Sequence, residues 1–330
     1  MTWLTWRQHR ALFLATGLVV GGLCLAMLML GQQVHSVFHT GGLEACLKAG
    51  AGCGDLRFAF EDRFRSMQLL MPLVLACPLL IGLFWGAPLV AREVEQGTHR
   101  LVWTQSTTRR RWLLAKLAFV GAVALVVAAA FALTSSWFAE PFNTINGSRM
   151  SSGLFDLQGI VPIAYTLFAF ALGVAAGAVF GRTVPAMGVT LLGFVASRGL
   201  VGSLARSRFL PTKVMTFATL GREPRTNFGG WVVDGRILTR TGEVFSSNGN
   251  LNFTPTSLHH WCPSITVNSG DLLGKGDLQP CLDGLGLRTI QTFHPASQYW
   301  ALQGIEAGVF LLAAAGLVVF TVWWVLRRVT

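Results

Sequence analysis

Three groups of residues in this chain carry the charge or reactivity that chemistry needs. The first lies between residues 91 and 111 and reads AREVEQGTHRLVWTQSTTRRR. It combines Arg92, Glu93 and Glu95 with a helix breaker at Gly97, an apolar stretch at Leu101–Trp103 and the basic triplet Arg109, Arg110, Arg111. A loop made only for topology needs a few arginines and no acids. Mixed charge around an apolar stretch predicts a short amphipathic helix at a membrane surface, a shape that also docks on a soluble partner. The alternative is a solvated cluster of Arg92, Glu93 and Glu95. The second group is Arg198 and Glu306, charges set inside long apolar stretches, where they are costly and mark function. The third is six cysteines: Cys24 and Cys77 in apolar stretches, and Cys46, Cys53, Cys262 and Cys281 outside them.

Other chemistry finds little support in the residues. SGDLLGKGD at Ser269–Asp277 is one residue short of a phosphate loop, and Gly276 stands where Ser or Thr would hold magnesium. ATP hydrolysis, if the chain needs it, belongs to another chain. No nucleophile is spaced with a base in the manner of G-x-S-x-G and a placed His. His259, His260 and His294 read as surface residues. A zinc site on His259, His260 and Cys262 lacks a fourth ligand at closed spacing. The net charge of +11 is not a nucleic-acid footprint, because the basic residues collect at the ends of apolar spans without interleaved aromatics.

The elements that position these residues are membrane spans. Hydrophobic residues make up 52% of the 330 and charged ones only 12%, about half the usual share in a soluble domain. Six windows are apolar enough to cross a bilayer: Ala11–Leu30, Leu69–Val90 (with Pro72, Pro78 and Pro88), Trp112–Ala132, Ile160–Phe180, Val184–Leu204 and Ala301–Leu326. The first window is too long for a signal-peptide core and lacks a small-x-small cleavage site, so it reads as an uncleaved anchor. With the N-terminus in the cytoplasm, ten arginines fall in the short inner segments Met1–Arg10, Ala91–Arg111, Gly181–Thr183 and Arg327–Thr330. The positive-inside rule favours this orientation, and both termini are then cytoplasmic.

The outer side then holds Gly31–Gln68, a short loop at about Thr134–Gly159, and Ala205–Trp300. The last is large enough to fold alone. Its WVVDGRILTRTGEVF gives two β-rich runs around turn residues, so it reads as a small mixed or β-rich extracellular domain. The four cysteines outside the spans all fall on this side, where disulfides persist. Proximity pairs Cys46 with Cys53 and Cys262 with Cys281; three pairings are open to four cysteines, and free thiols are the alternative. Arg198 lies roughly 22 Å from the inner face and Glu306 roughly 8 Å from the outer one, a similar depth in a core of roughly 30 Å. An Arg198–Glu306 ion pair is expected. The alternatives are an Arg198 that meets an anionic group on a substrate, or two side chains that snorkel separately. Gly173, Gly177 and Gly181, four apart, predict close helix packing. Tyr299 and Trp300 fit an interfacial anchor.

The 91–111 segment resembles the first cytoplasmic loop of the ABC type-2 (type V fold) exporter permeases, the family that includes actinobacterial drug and antibiotic exporters. That loop runs Arg-Glu-x-Glu-x-Gly-Thr, an apolar stretch, hydroxyl residues, basic residues, and a Lys in the next span. Here the positions are Arg92, Glu93, Glu95, Gly97, Thr98, Leu101, Thr107, Thr108, Arg109, Arg110 and Lys116. The amphipathic start TWLTWRQHR, six spans and a large loop between the fifth and sixth match as well. The resemblance implies an all-α polytopic membrane protein with an N-terminal elbow helix. Residues 1–204 would hold spans one to five and the ATPase-coupling loop 91–111, residues 205–300 the extracellular domain, and residues 301–330 the sixth span. It implies a cell-membrane permease subunit without catalysis or cofactor of its own, in a permease homodimer with two ATP-binding cassette subunits. Those partners would bind ATP and Mg and drive a hydrophobic or amphipathic drug or antibiotic outward. Lipid or polymer export, signalling across the membrane, and an anchored extracellular enzyme are the other readings.

Overall fold

The computed structural model describes residues 2–49, 52–97, 108–219, 230–249, 260–262 and 278–328. Among the described residues, six helical segments are long and apolar enough to cross a membrane: Leu14–Thr40, Arg65–Glu95, Arg109–Asn146, Val161–Phe180, Thr183–Arg208 and Ala296–Arg328. They are called the first to sixth spans below. The chain divides into two compact units: one of Met1–Asn146, Ser151–Phe209 and Trp300–Thr330, and one of Gly147–Met150 and Leu210–Tyr299.

In the first unit the second and fourth spans are central. Their most apolar windows are 67% and 72% buried, against 17–33% for the other four. The second span is broken into pieces by its prolines. Pro72 and Pro88 each sit in the first turn of a helix, Met71–Ile81 and Ala87–Glu95, where the missing N–H costs nothing. Pro78 is interior, and a π turn at Gly82–Gly86 follows it. This irregular stretch lies against the fourth span. A Cβ at Gly82 would come within 2.6 Å of the Ala169 carbonyl oxygen, and one at Gly173 within 2.7 Å of the Ala87 nitrogen. A Cβ at Gly177 would fall on the Ala87 carbonyl oxygen. The Gly173, Gly177, Gly181 stripe thus faces the second span of the same chain, and the two backbones touch along a glycine seam. Around it pack Trp85, Leu89, Leu113, Val120, Phe170, Val174 and Val325.

Two expected outer loops are in part helical. The first helix runs from Thr2 to Thr40 without a break, and the third span extends to Asn146. Residues 31–40 are polar on one side, but Val34 and Phe38 keep the i, i+4 spacing and pack with Ile145, Phe60 and Phe64. Short helices Leu43–Ala49 and Gly54–Arg63 complete this end.

The second unit holds a small antiparallel sheet of β1 (Lys213–Ala218), β2 (Trp231–Leu238), β3 (Val244–Ser246) and β4 (Arg288–His294), in the order β1-β4-β2-β3. β2 and β3 form the hairpin of the WVVDGRILTRTGEVF run, turning at Gly242 with φ +90°. β4 pairs with β1 and β2, placing Gln291 opposite both Met215 and Gly235. A small core of Ile237, Cys262, Leu282 and Leu287 backs the sheet.

Gly177→Leu forces a side chain onto the second-span backbone. It is expected to cost about 1–3 kcal/mol or more and to lower the unfolding midpoint in detergent, read by size-exclusion chromatography after heating. Gly188→Leu is the control: a Cβ there meets nothing within 4 Å, and the midpoint should not move.

Candidate functional site

The helix Ala87–Glu95 ends at Gly97, whose φ of +69° favours glycine, with Gln96 N–H donating to Arg92 O at 3.0 Å and Gly97 N–H to Val94 O at 3.2 Å. Residues two apart on a helix point about 200° apart, so Glu93 and Glu95 face opposite ways. Glu93 is 4% exposed and forms an ion pair with Lys116 of the third span, which is also buried. The Lys116 ammonium lies 4.8 Å from the Trp112 ring centre. Glu95 is exposed, and its Oε2 accepts from the N–H and the hydroxyl of Thr183 at 3.2 and 3.0 Å. Thr183 opens the fifth-span helix, so Glu95 caps that helix from the second span. A Cβ at Gly181, where the fourth span ends with φ +60°, would lie 3.1 Å from Val94 Cγ1. The end of the second span is therefore joined to the third, fourth and fifth.

Arg92 and Gly97 are exposed beside Glu95, and Arg109, Arg110 and Arg111 form the first turn of the third-span helix, where Thr108 Oγ1 accepts from Arg111 N–H at 3.3 Å. Three cations at a helix N-terminus oppose its dipole by about 0.3–1 kcal/mol each, so helix stability does not explain them. Thr98, Leu101 and Thr107 lie outside the described residues.

Beyond the other end of the fourth span is a buried network of charge. Arg206 donates from Nε and Nη2 to the two Glu306 oxygens, both at 2.7 Å, and from Nη2 also to Asp156 Oδ1. Tyr165 donates its hydroxyl proton to Glu306 Oε1. Arg198 donates to Asp156 Oδ2 at 2.8 Å and to the Leu75 carbonyl at 3.0 Å. Glu306 is 0% and Arg206 4% exposed. Gln303, one turn before Glu306, accepts from Ile160 and Val161 N–H at 3.1 Å and donates to Phe155 O at 3.0 Å. The network holds two cations and two carboxylates and ties together the second, fourth, fifth and sixth spans.

The local fold explains the geometry. On a regular helix Arg198 and Arg206 would sit about 80° apart. The π turn at Val201–Ala205 inserts an extra residue and brings them within about 20° of each other. The expected Arg198–Glu306 pair is corrected: no hydrogen bond or ion pair joins them. Arg206 takes Glu306, Asp156 takes Arg198, and Asp156 bridges the two arginines. Depth along the spans was similar, but rotation and the intervening Asp156 decide the partner.

The model of the ABC-2 membrane transporter related family matches residues 17–206. The chain belongs to this family. It is a multi-pass membrane protein and a transport permease, a class of subunit that is generally not itself catalytic. The matched stretch runs from within the first span to Arg206 near the end of the fifth and includes the 91–111 segment and both network arginines. No curated protein and no solved structure matches the permease significantly.

Elsewhere in the permease, disulfides join Cys46 to Cys53 and Cys262 to Cys281, with Cα separations of 6.0 and 6.1 Å. The second leaves Cys262 no thiolate for zinc. His259 and the Ser269–Asp277 run lie outside the described residues; His260 is exposed. His294 is not at the surface: it is 0% exposed, bonded to Gln298 at 2.8 Å and stacked on Trp231. It ends β4, where strand pairing turns the ring inward. Sequence reasoning missed Asp156, Tyr165, Arg206 and Gln303 of the permease. The available signal was the spacing of Arg198 and Arg206 and of Gln303 and Glu306 on their helices.

Arg206→Ala leaves Glu306 buried without its cation, at an expected cost of about 3–5 kcal/mol. Arg198, more exposed and further from Glu306, should cost less when truncated. Unfolding midpoints of the two variants check the ranking; a larger loss for Arg198→Ala would contradict it.

Proposed function

We propose that this chain is the membrane subunit through which a separate ATP-binding cassette ATPase drives a hydrophobic or amphipathic small molecule, such as a drug or antibiotic, out of the cell. The ATPase engages the segment Arg92–Arg111, and ATP and Mg are held by that partner. One observation carries the reading. Arg92, Glu95, Gly97 and Arg109–Arg111 are at the surface, while Glu93 and Glu95 attach the same short helix to the third and fifth spans. A push on the exposed side is thereby delivered to several spans at once.

The rest of the proposal follows the charge pattern. Both termini are cytoplasmic, Thr2–Arg10 forms the inner end of the unbroken first helix in place of the expected separate elbow, and the disulfide-bonded sheet unit is extracellular, where such bonds persist. Two copies assemble with two ATPases, which gives the exposed apolar faces of the fifth and sixth spans, with Leu192 and Leu312 more than 70% exposed, a second copy or lipid to meet. Apolar cargo is favoured because the charges inside the described spans neutralise one another and leave little to hold a small hydrophilic ion.

Co-expression with the cognate ATPase tests the reading. Glu95→Ala should leave the complex assembled and its basal ATPase activity unchanged, while substrate stimulation falls at least about fivefold, a loss of about 1 kcal/mol of coupling. Unchanged stimulation in Glu95→Ala, or failure of any ATPase to co-purify with the chain, would contradict it.

A further inference from the structure

Within the first unit, a cavity of about 470 Å³ lies among the first span, the helix Gly54–Arg63, the start of the second span and the end of the third. Its size suits a drug-sized ligand. Its walls are apolar and rich in aromatic rings and thioether: Met27, Phe60, Phe64, Phe138, Phe142 and Leu157 line it. Phenylalanine faces attract cations that have left water, and methionine adapts to irregular ligands. The polar edge is Glu61, Asn146 and Ser151, and among the described lining residues Glu61 is the single ionisable one. Arg57 donates to Glu61 Oε1 at 2.8 Å and to Asn146 Oδ1 at 3.3 Å. That pair is about half exposed on both sides, so it is weak, and no described residue bonds Glu61 Oε2. The Cys46–Cys53 disulfide ties Leu43–Ala49 to the start of the helix that supplies Phe60 and is capped by Phe64, which keeps this wall in place.

We propose that this cavity, inside a single subunit, binds lipophilic cations: an apolar aromatic body between the phenylalanines and a positive charge towards Glu61. The site deepens the reading of the chain as an exporter of amphipathic molecules and rests on it for its biological meaning. Binding itself needs only the purified chain.

The test uses tetraphenylphosphonium and tetraphenylborate, probes of nearly one size and opposite charge, in equilibrium dialysis against the full chain in nanodiscs, with empty nanodiscs subtracted. Wild type should bind the cation saturably and the anion at least about tenfold more weakly. Glu61→Gln should weaken the cation about fivefold, and Arg57→Gln, which frees the carboxylate, should strengthen it about twofold. A Cβ at Gly153, on the cavity wall, meets nothing within 4 Å, so Gly153→Phe should fill the space without a backbone clash and abolish binding. Equal binding of the two ions, no saturable cation binding, or binding unaffected by Gly153→Phe would overturn the proposal. Binding retained in a chain that shows no ATPase-driven export would strike the exporter reading and leave the site standing.

Discussion

An ionised group inside an apolar bundle must be neutralised where it lies, and in this chain Arg206 meets that demand by holding Glu306 and Asp156 together. A carboxylate that is 0% exposed is tolerable only with a bidentate cation and a further hydrogen bond, which Arg206 and Tyr165 supply. The second carboxylate on Arg206 then requires a second cation, and Arg198 provides it. Both arginines come from the fifth span, Glu306 from the sixth, Tyr165 from the fourth and Asp156 from the stretch before it. The positions of the fifth span, the sixth span and the connector before the fourth span are therefore mutually dependent, and the π turn at Val201–Ala205 is the backbone device that lets one helix contribute both arginines.

The fourth span connects this network to the opposite end of the bundle. It carries Tyr165 near its start and the glycine seam at Gly173 and Gly177 further on, and it stops beside Val94. The Glu93–Lys116 pair and the Glu95 cap lie at that second end. Backbone-to-backbone packing along the seam leaves little room for relative sliding. In the proposed mechanism this stiffness matters: displacement at Glu95 moves spans as a group rather than bending one helix.

The six spans were legible because a bilayer crossing demands a long run without charge, and such runs are visible in one dimension. The hairpin at WVVDGRILTRTGEVF was legible because β-branched runs flank a turn. The Arg198 partner was not. Depth can be counted along a helix, but which way a side chain faces depends on whether the helix is regular, and the π turn before Arg206 has no marker beyond a glycine and a serine. Asp156 stood in a stretch read as a loop, because polar Ser151 and Ser152 precede it. Glu93 was grouped with its exposed neighbours by motif, although a two-residue spacing on a helix sends Glu93 and Glu95 to opposite faces. The reach of the first helix to Thr40 was hidden because His35, Ser36 and His39 dilute an apolar stripe that only Phe60, Phe64 and Ile145 complete.

A double-substitution cycle on Arg206 and Glu306 tests the buried network most directly. Arg206→Met and Glu306→Gln should each lower the unfolding midpoint, because each strands a buried charge. The double variant removes both charges and leaves Asp156 with Arg198, so its loss should fall short of the sum of the two single losses by at least about 1–3 kcal/mol. Losses that simply add would show that the two side chains do not neutralise each other, and would contradict the role given to them here.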